Sequence, residues 1–313
     1  MTSSRIGLRC GGTRLSACQR NARFCCCLLY TSPSPRDPLR YLVCRLLLEK
    51  GWADPPTGNA EAGALVFAAA GCASCHTSPD VKTSDGAPIL TGGRAFETEF
   101  GTFYAPNISA DPSVGIGDWT FAEFARALTL GVSPAGKHYY PAFPYTSYAK
   151  MDTGDVADLF AYMKTLPVTP EPNKAHAVTF PFSQRRAVGV WKRLYMTDAY
   201  HLENASTPEL ERGRYLVEAL AHCAECHTPR TALGGLDHVR WMEGAPDPAG
   251  TGRIPAITPQ KLDWSTADLV AYFTSGLTPD YDSAGGDMAV VIENLSILPV
   301  ADRMAIAAYL GAL

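Results

Sequence analysis

Beyond residue 50, this chain of 313 residues is almost without cysteine. Six of its ten cysteines (Cys10, Cys18, Cys25, Cys26, Cys27 and Cys44) fall in the first fifty residues, and the other four sit in two short runs. Outside those runs the rest of the chain has no cysteine left for a structural disulfide, which excludes a disulfide-stapled scaffold. Positive charge is also scarce. Lys and Arg number 27 against 31 Asp and Glu, a net charge of −4, which leaves no basic footprint for nucleic acid. Long apolar runs are missing as well: Leu42–Leu48 is too short to span a bilayer, and residues 52–313 hold no long apolar segment. Apolar residues still make up 46% of the chain, enough to build the cores of two modest domains.

The two cysteine runs are Cys72-Ala-Ser-Cys75-His76 and Cys223-Ala-Glu-Cys226-His227. Two thiols at this spacing can form thioethers to the vinyl groups of one haem, and the adjacent histidine then falls under the iron. The pair of runs therefore predicts two covalently bound haem c groups. Cys72, Cys75, Cys223 and Cys226 are the attachment points, and His76 and His227 the proximal iron ligands. The alternative is one structural zinc held by the four cysteines. Zinc has no need of the histidines, and the two runs lie in separate repeated units.

Aligning the two runs brings their surroundings into register. Each is preceded by an apolar helical stretch, Glu61–Ala70 or Glu211–Ala221, carrying a small residue, Gly63 or Gly213, that lets another helix approach. Each is followed by Pro106-Asn107-Ile108-Ser109 or Pro255-Ala256-Ile257-Thr258. Asp118-Trp119-Thr120 and Asp263-Trp264-Ser265 then open predicted helices over Phe121–Leu130 and Thr266–Ser275, which stop at Gly131 and Gly276. Asp155–Lys164 and Asp302–Leu310 read as closing amphipathic helices.

This order resembles that of class I c-type cytochromes over essentially all of residues 59–313. It is similar in particular to the cytochrome c subunits of membrane-bound alcohol, gluconate and aldehyde dehydrogenases and to their dihaem relatives. The closer match rests on Gly115–Trp119, Tyr140–Tyr145, His222–Arg230, Gly285–Met288, Phe180-Pro181-Phe182 and Trp191-Lys192. The resemblance implies an all-α fold of two tandem cytochrome c-like domains, 52–166 with the first haem and 207–313 with the second, joined by a Pro-rich linker over 167–206. Several dehydrogenase-bound members carry three attachment runs. With two, the chain is read as a true dihaem form in preference to one that has lost a third domain.

Histidine and methionine together close the iron and raise its potential, as electron transfer requires. Met288, which follows Gly285-Gly286 upstream of the final helix, is the expected sixth ligand of the second haem; a core methionine is the alternative. Where many relatives have a methionine for the first haem, this chain has Phe143, which cannot bind iron. Met151, in register with Leu298, and His138 are the two candidates, and Met151 is taken ahead of His138. Trp119 and Trp264 either wall haem pockets or pack in the core. Asn107, Arg94 and Arg230 are candidate propionate partners, against a turn role for the first and solvated positions for the arginines. His201, His222 and His238 have no repeated counterpart that marks them as ligands, and His176 is expected to be exposed.

Cys27–Asp37 and Tyr41–Lys50 read as translated sequencing-adapter and primer sequence, so residues 1–51 are expected to be a disordered library or assembly artefact. The competing reading is a degenerate signal peptide built on Arg20, Arg23 and Phe24–Tyr30. The expected location is the periplasm or the periplasmic face of the inner membrane, because haem is attached to such runs on that side, with an export signal missing and membrane association through partners. The expected role is a non-catalytic relay, taking electrons from a dehydrogenase catalytic subunit towards a quinone or terminal oxidase. The rival is a dihaem peroxidase with the first haem as active site. A thiosulfate-oxidising cytochrome would need a cysteine ligand, and none is left outside the runs.

Overall fold

The computed structural model describes residues 9–10, 13–14, 56–78, 86–248 and 252–313. The adapter and signal-peptide readings of residues 1–51 lie outside the described residues, save for two short strands, β1 (Arg9–Cys10) and β2 (Thr13–Arg14), which pair antiparallel. Residues 57–313 form one compact unit.

Within that unit the predicted order of helices recurs. Helix α1 (Ala60–Ala69) starts where the Asn59 side chain accepts from the amides of Glu61 and Ala62, with Glu61 favourably placed in the first turn. A one-turn helix, α2 (Cys72–His76), carries the first attachment run. It leads to a hairpin, β3 (Ala95–Thr98) and β4 (Gly101–Tyr104), in which Phe96 faces Phe103. Helix α3 (Phe121–Leu130) opens with a reciprocal capping box between Thr120 and Glu123 and ends at Gly131, whose φ of 60° suits glycine. The short α4 (Tyr145–Tyr148) and the closing helix α5 (Thr153–Met163) complete the first half.

Residues 167–206 do not run free between the halves. Strand β5 (Ala177–Val178) pairs with β4, and helix α6 (Arg185–Tyr195) lies across the end of α3. Asn107, 3% exposed, donates from Nδ2 to the carbonyls of Thr169 and Glu171, while its amide donates to Asn173. The turn after Pro106 is thus held by this strap. His176 is half-buried rather than exposed, because it accepts from the Tyr104 amide and packs on Phe103 and Tyr140.

The second half repeats the scheme. Helix α7 (Pro208–Tyr215) is capped by Thr207 and runs into a π-helical turn over Leu216–Leu220. Then come α8 (Ala224–His227) with the second run, the paired strands β6 (Ala245–Pro246) and β7 (Arg253–Ile254), α9 (Pro259–Leu262), α10 (Thr266–Ser275), α11 (Asp287–Ile297) and α12 (Val300–Gly311). Helix α10 has the same device as α3: a Ser265–Asp268 capping box and a left-handed stop at Gly276. The fold is mostly helical, and the expectation of an all-α protein is corrected by the three-stranded sheet β3-β4-β5 and the small β6-β7 pair.

The first and last helices cross in each half, and glycine makes the crossing close. A Cβ on Gly63 would collide with the Asp158 carbonyl in α5, and a Cβ on Gly213 with the Ala305 carbonyl in α12. This crossing fixes the helix leading into each attachment run against the closing helix of the same half.

Candidate functional site

The two attachment runs are each presented as a single helical turn directly after a buried apolar helix. His76 donates from Nδ1 to the Pro106 carbonyl at 2.8 Å, and His227 does the same to the Pro255 carbonyl at 2.8 Å. Each bond fixes the tautomer and the ring orientation, which leaves Nε2 as the free, unprotonated nitrogen an iron needs. Burial also pushes both imidazoles down from their ordinary pKa, against the pull of those carbonyls, which favours the neutral ligand form.

The four cysteines are free thiols. Burial pushes Cys72 and Cys223 up to about 12 and Cys226 up to about 11, and Cys75 moves the same way. Among the described residues no group of three or more His, Cys, Asp or Glu side chains is gathered to hold a metal ion. The residues present therefore fit two haem c groups: paired thiols, a fixed imidazole with its outer nitrogen free, and a buried Thr77 hydroxyl without a partner immediately after His76.

The candidates for the sixth position separate. Met288 lies in the first turn of α11, behind Gly286 in a φ of 55°. Met151 is 5% exposed and sits just before α5, and its counterpart Leu298 is 2% exposed just before α12. His138 is engaged elsewhere. Its Nδ1 lies 3.3 Å from Lys192 Nζ, and its ring packs over Gly189 of α6, where a Cβ would come within 2.9 Å of Nε2. Burial lowers its pKa, and the nearby Lys192 ammonium adds to the shift.

The arginines read as propionate partners are held by protein. Arg94 donates from Nη1 to the Ser74 carbonyl at 2.6 Å and from Nη2 to Asp287 at 2.7 Å. Arg230 donates to the Glu225 carbonyl at 2.8 Å and to its carboxylate at 2.6 Å. Although burial alone would raise Glu225, Arg230 and His222 hold its carboxyl below the usual range. Trp119 and Trp264 are both half-buried, the latter edge-on to Tyr272. His201, His238 and Trp241 form one cluster of near-parallel rings, the two imidazole centroids 4.5 and 5.4 Å from that of Trp241 and 6.4 Å from each other. His222 lies beside Tyr148 and within 3.4 Å of the Ala70 carbonyl.

Sequence reasoning passed over the residues inside and around the runs that join the two halves. Asn294 donates to Ser74 Oγ at 2.8 Å, and Thr146 donates to Glu225 Oε1 at 2.9 Å. The only signal was that Ser74 and Glu225 are polar residues at the variable positions of otherwise similar runs.

The family model described as cytochrome c matches residues 60–167. A protein named diheme cytochrome c-type from Cereibacter sphaeroides is 54% identical over 254 residues, covering 81% of this chain and 86% of that protein. The fructose dehydrogenase cytochrome subunit of Gluconobacter japonicus is 38% identical over 256 residues, covering 79% of this chain and 51% of that subunit. The gluconate 2-dehydrogenase cytochrome c subunit of Pantoea cypripedii is 34% identical over 265 residues, covering 80% and 58%. The chain thus spans most of the first relative and a little over half the length of the other two.

Proposed function

The chain belongs to the c-type cytochromes, with haem c as its group, and from that membership we propose that it works as a dihaem electron carrier. In this reading it serves a dehydrogenase catalytic subunit and passes electrons on towards a quinone or a terminal oxidase, at the periplasmic side of the inner membrane. Residues 52–166 and 207–313 each hold one haem, and 167–206 tie them together. The observation that carries the reading is the matched pair of histidine-to-proline-carbonyl bonds, both 2.8 Å, each beside its own pair of thiols.

When bound, haem iron supplies a one-electron couple between its ferric and ferrous states. The chain's residues do the rest. Cys72 and Cys75, and Cys223 and Cys226, hold each ring by thioethers, so the carrier keeps its groups through many turnovers. His76 and His227 would hold the iron through Nε2, since Nδ1 of each is taken by a carbonyl whose bond raises the basicity of the ring. With haem bound, Met288 in the second half and Met151 in the first would be the methionines that close each iron to small ligands. The packing around His138 supports Met151, since the imidazole is committed to α6. Partners in the relatives support the dehydrogenase assignment, as those subunits are named for fructose and gluconate dehydrogenases. No helix among the described residues is long and apolar enough to cross a membrane.

The test is to express the chain behind an export signal in a host that matures c-type cytochromes and to weigh the denatured protein. A gain of two haems is expected, and neither reduced haem should bind carbon monoxide readily. A gain of one haem, or rapid carbon monoxide binding at either, would overturn the closed dihaem carrier.

A further inference from the structure

The two attachment runs are joined to each other's surroundings by a reciprocal set of side-chain bonds. Glu225 lies inside the second run. Its carboxylate accepts from Thr146 Oγ1 of α4 at 2.9 Å, and α4 is the turn that leads to Met151 in the first half. Ser74 lies at the equivalent position inside the first run. Its hydroxyl accepts from Asn294 Nδ2 at 2.8 Å, and Asn294 is on α11, the helix whose first turn carries Met288. An arginine from the same half steadies each run: Arg94 on the Ser74 carbonyl, and Arg230 on both the carbonyl and the carboxylate of Glu225. Tyr148, also in α4, reaches the other way and donates to the Ala70 carbonyl at 3.0 Å, just ahead of Cys72.

Burial separates the strong arm of this arrangement from the weak one. The Glu225 side chain is 11% exposed, and its carboxylate is held by a hydroxyl and a guanidinium. Charge-assisted bonds in such a setting are short and hold geometry well. Arg94 also reaches Asp287 at 2.7 Å, but Asp287 is 83% exposed, so that ion pair is screened and fixes little by itself.

We propose that the two haem sites are cross-braced: Glu225, through Thr146, is a positioning residue for the methionine side of the first haem, and Asn294, through Ser74, couples the methionine side of the second haem to the first attachment run. The proposal rests on the dihaem reading with Met151 and Met288 as sixth ligands. Its consequence is that a residue inside one haem's attachment run controls the ligation of the other haem.

The experiment uses the full haem-loaded chain and reads two things in each variant: the red charge-transfer band of methionine-ligated ferric haem, and the two midpoint potentials. Met151→Leu first identifies the band and the potential that belong to the first haem. Thr146→Val, which changes no charge, should weaken that same band and lower that same potential, because a loosened methionine ligand lowers the potential. Glu225→Gln should act on the first haem in the same direction, and the double variant should do no more than either single change. Thr146→Ser keeps the hydroxyl and should behave as the parent, as should the surface change Arg240→Gln. Asn294→Ala should weaken the second haem's band. Two haems by mass, with the first haem's band and potential unmoved in Thr146→Val, overturn the brace while leaving the carrier reading intact. A Met151→Leu protein that keeps both bands overturns the ligand assignment and the brace together.

Discussion

Lys192 is the residue whose placement asks most of the fold. It is 8% exposed on α6, and its ammonium donates to the carbonyls of Leu130 and Gly131 at 2.6 and 2.7 Å while lying 4.3 Å from the face of Tyr145. A cation there meets the negative end of α3, which favours it. Burial nevertheless pushes its pKa down to about 7. An unfolded lysine titrates near 10.4. Between those two values the unfolded chain binds more protons than the folded one, so stability rises with pH across the window from about 7 to about 10. Expressed as a difference from Lys192→Met, which cannot titrate, the wild-type unfolding free energy should grow as pH rises through that window; urea titrations at its two ends measure it. A flat difference would mean the carbonyls hold the ammonium fully charged. Residue types were legible in the sequence wherever chemistry is written in spacing, as at Cys72, Cys75 and His76. The role of Lys192 was not: the Trp191-Lys192 pair is singled out in the sequence, but nothing local marks the helix end the lysine caps. Nor does the sequence show that His138 leans on Gly189, a contact made only by tertiary packing.

At the scale of the element, the paired glycines decide how each half closes. A β-branched side chain at Gly63 or Gly213 would drive α1 off α5 or α7 off α12, since the obstacle is a backbone carbonyl rather than a movable side chain. Gly63→Val and Gly213→Val should each cost at least the ~1–3 kcal/mol of an overpacked core, read as a fall in the urea midpoint at unchanged slope. Gly154 is the control. It lies in α5 with open space where a Cβ would go, so Gly154→Ala should leave stability unchanged or raise it by ~0.5–1 kcal/mol. Both critical glycines were legible as small residues in apolar helical stretches, and α3 and α10 fall at their predicted bounds because capping boxes and terminal glycines are local signals. Three elements were not legible. Helix α6 hides in a stretch read as linker, α11 follows a Gly-Gly pair that looked like loop, and the β3-β4-β5 sheet depends on a partner strand 73 residues or more from β4 by way of Ala177 and Val178. Elements that exist through tertiary pairing leave little local trace.

For the molecule as a whole, the question is whether two repeated halves behave as two bodies. Halves joined by a loose linker would move independently by default. Here the strap closes on the first half through Asn107, Asn173 and β5, and reaches the second through Trp191, whose Nε1 donates to the Leu233 carbonyl at 2.9 Å, and Tyr195, whose hydroxyl lies 3.0 Å from that of Thr231. A second tie crosses behind it: Tyr215 of α7 donates to Asp155 at 2.6 Å and accepts from the Asp152 amide, at the start of α5. These ties include buried partners from both halves, so breaking one half leaves polar groups of the other unpaired, at a cost of ~1–3 kcal/mol each. The haem-loaded chain should therefore unfold in one transition, with far-ultraviolet dichroism and haem absorbance coincident. Gly213→Val, placed in the second half, should lower the midpoint seen at the first half's haem by as much as it lowers the midpoint at its own. If instead the first haem keeps its parent midpoint while the second unfolds early, the strap is only a tether, and the electronic coupling of the two sites must be sought without mechanical coupling between them.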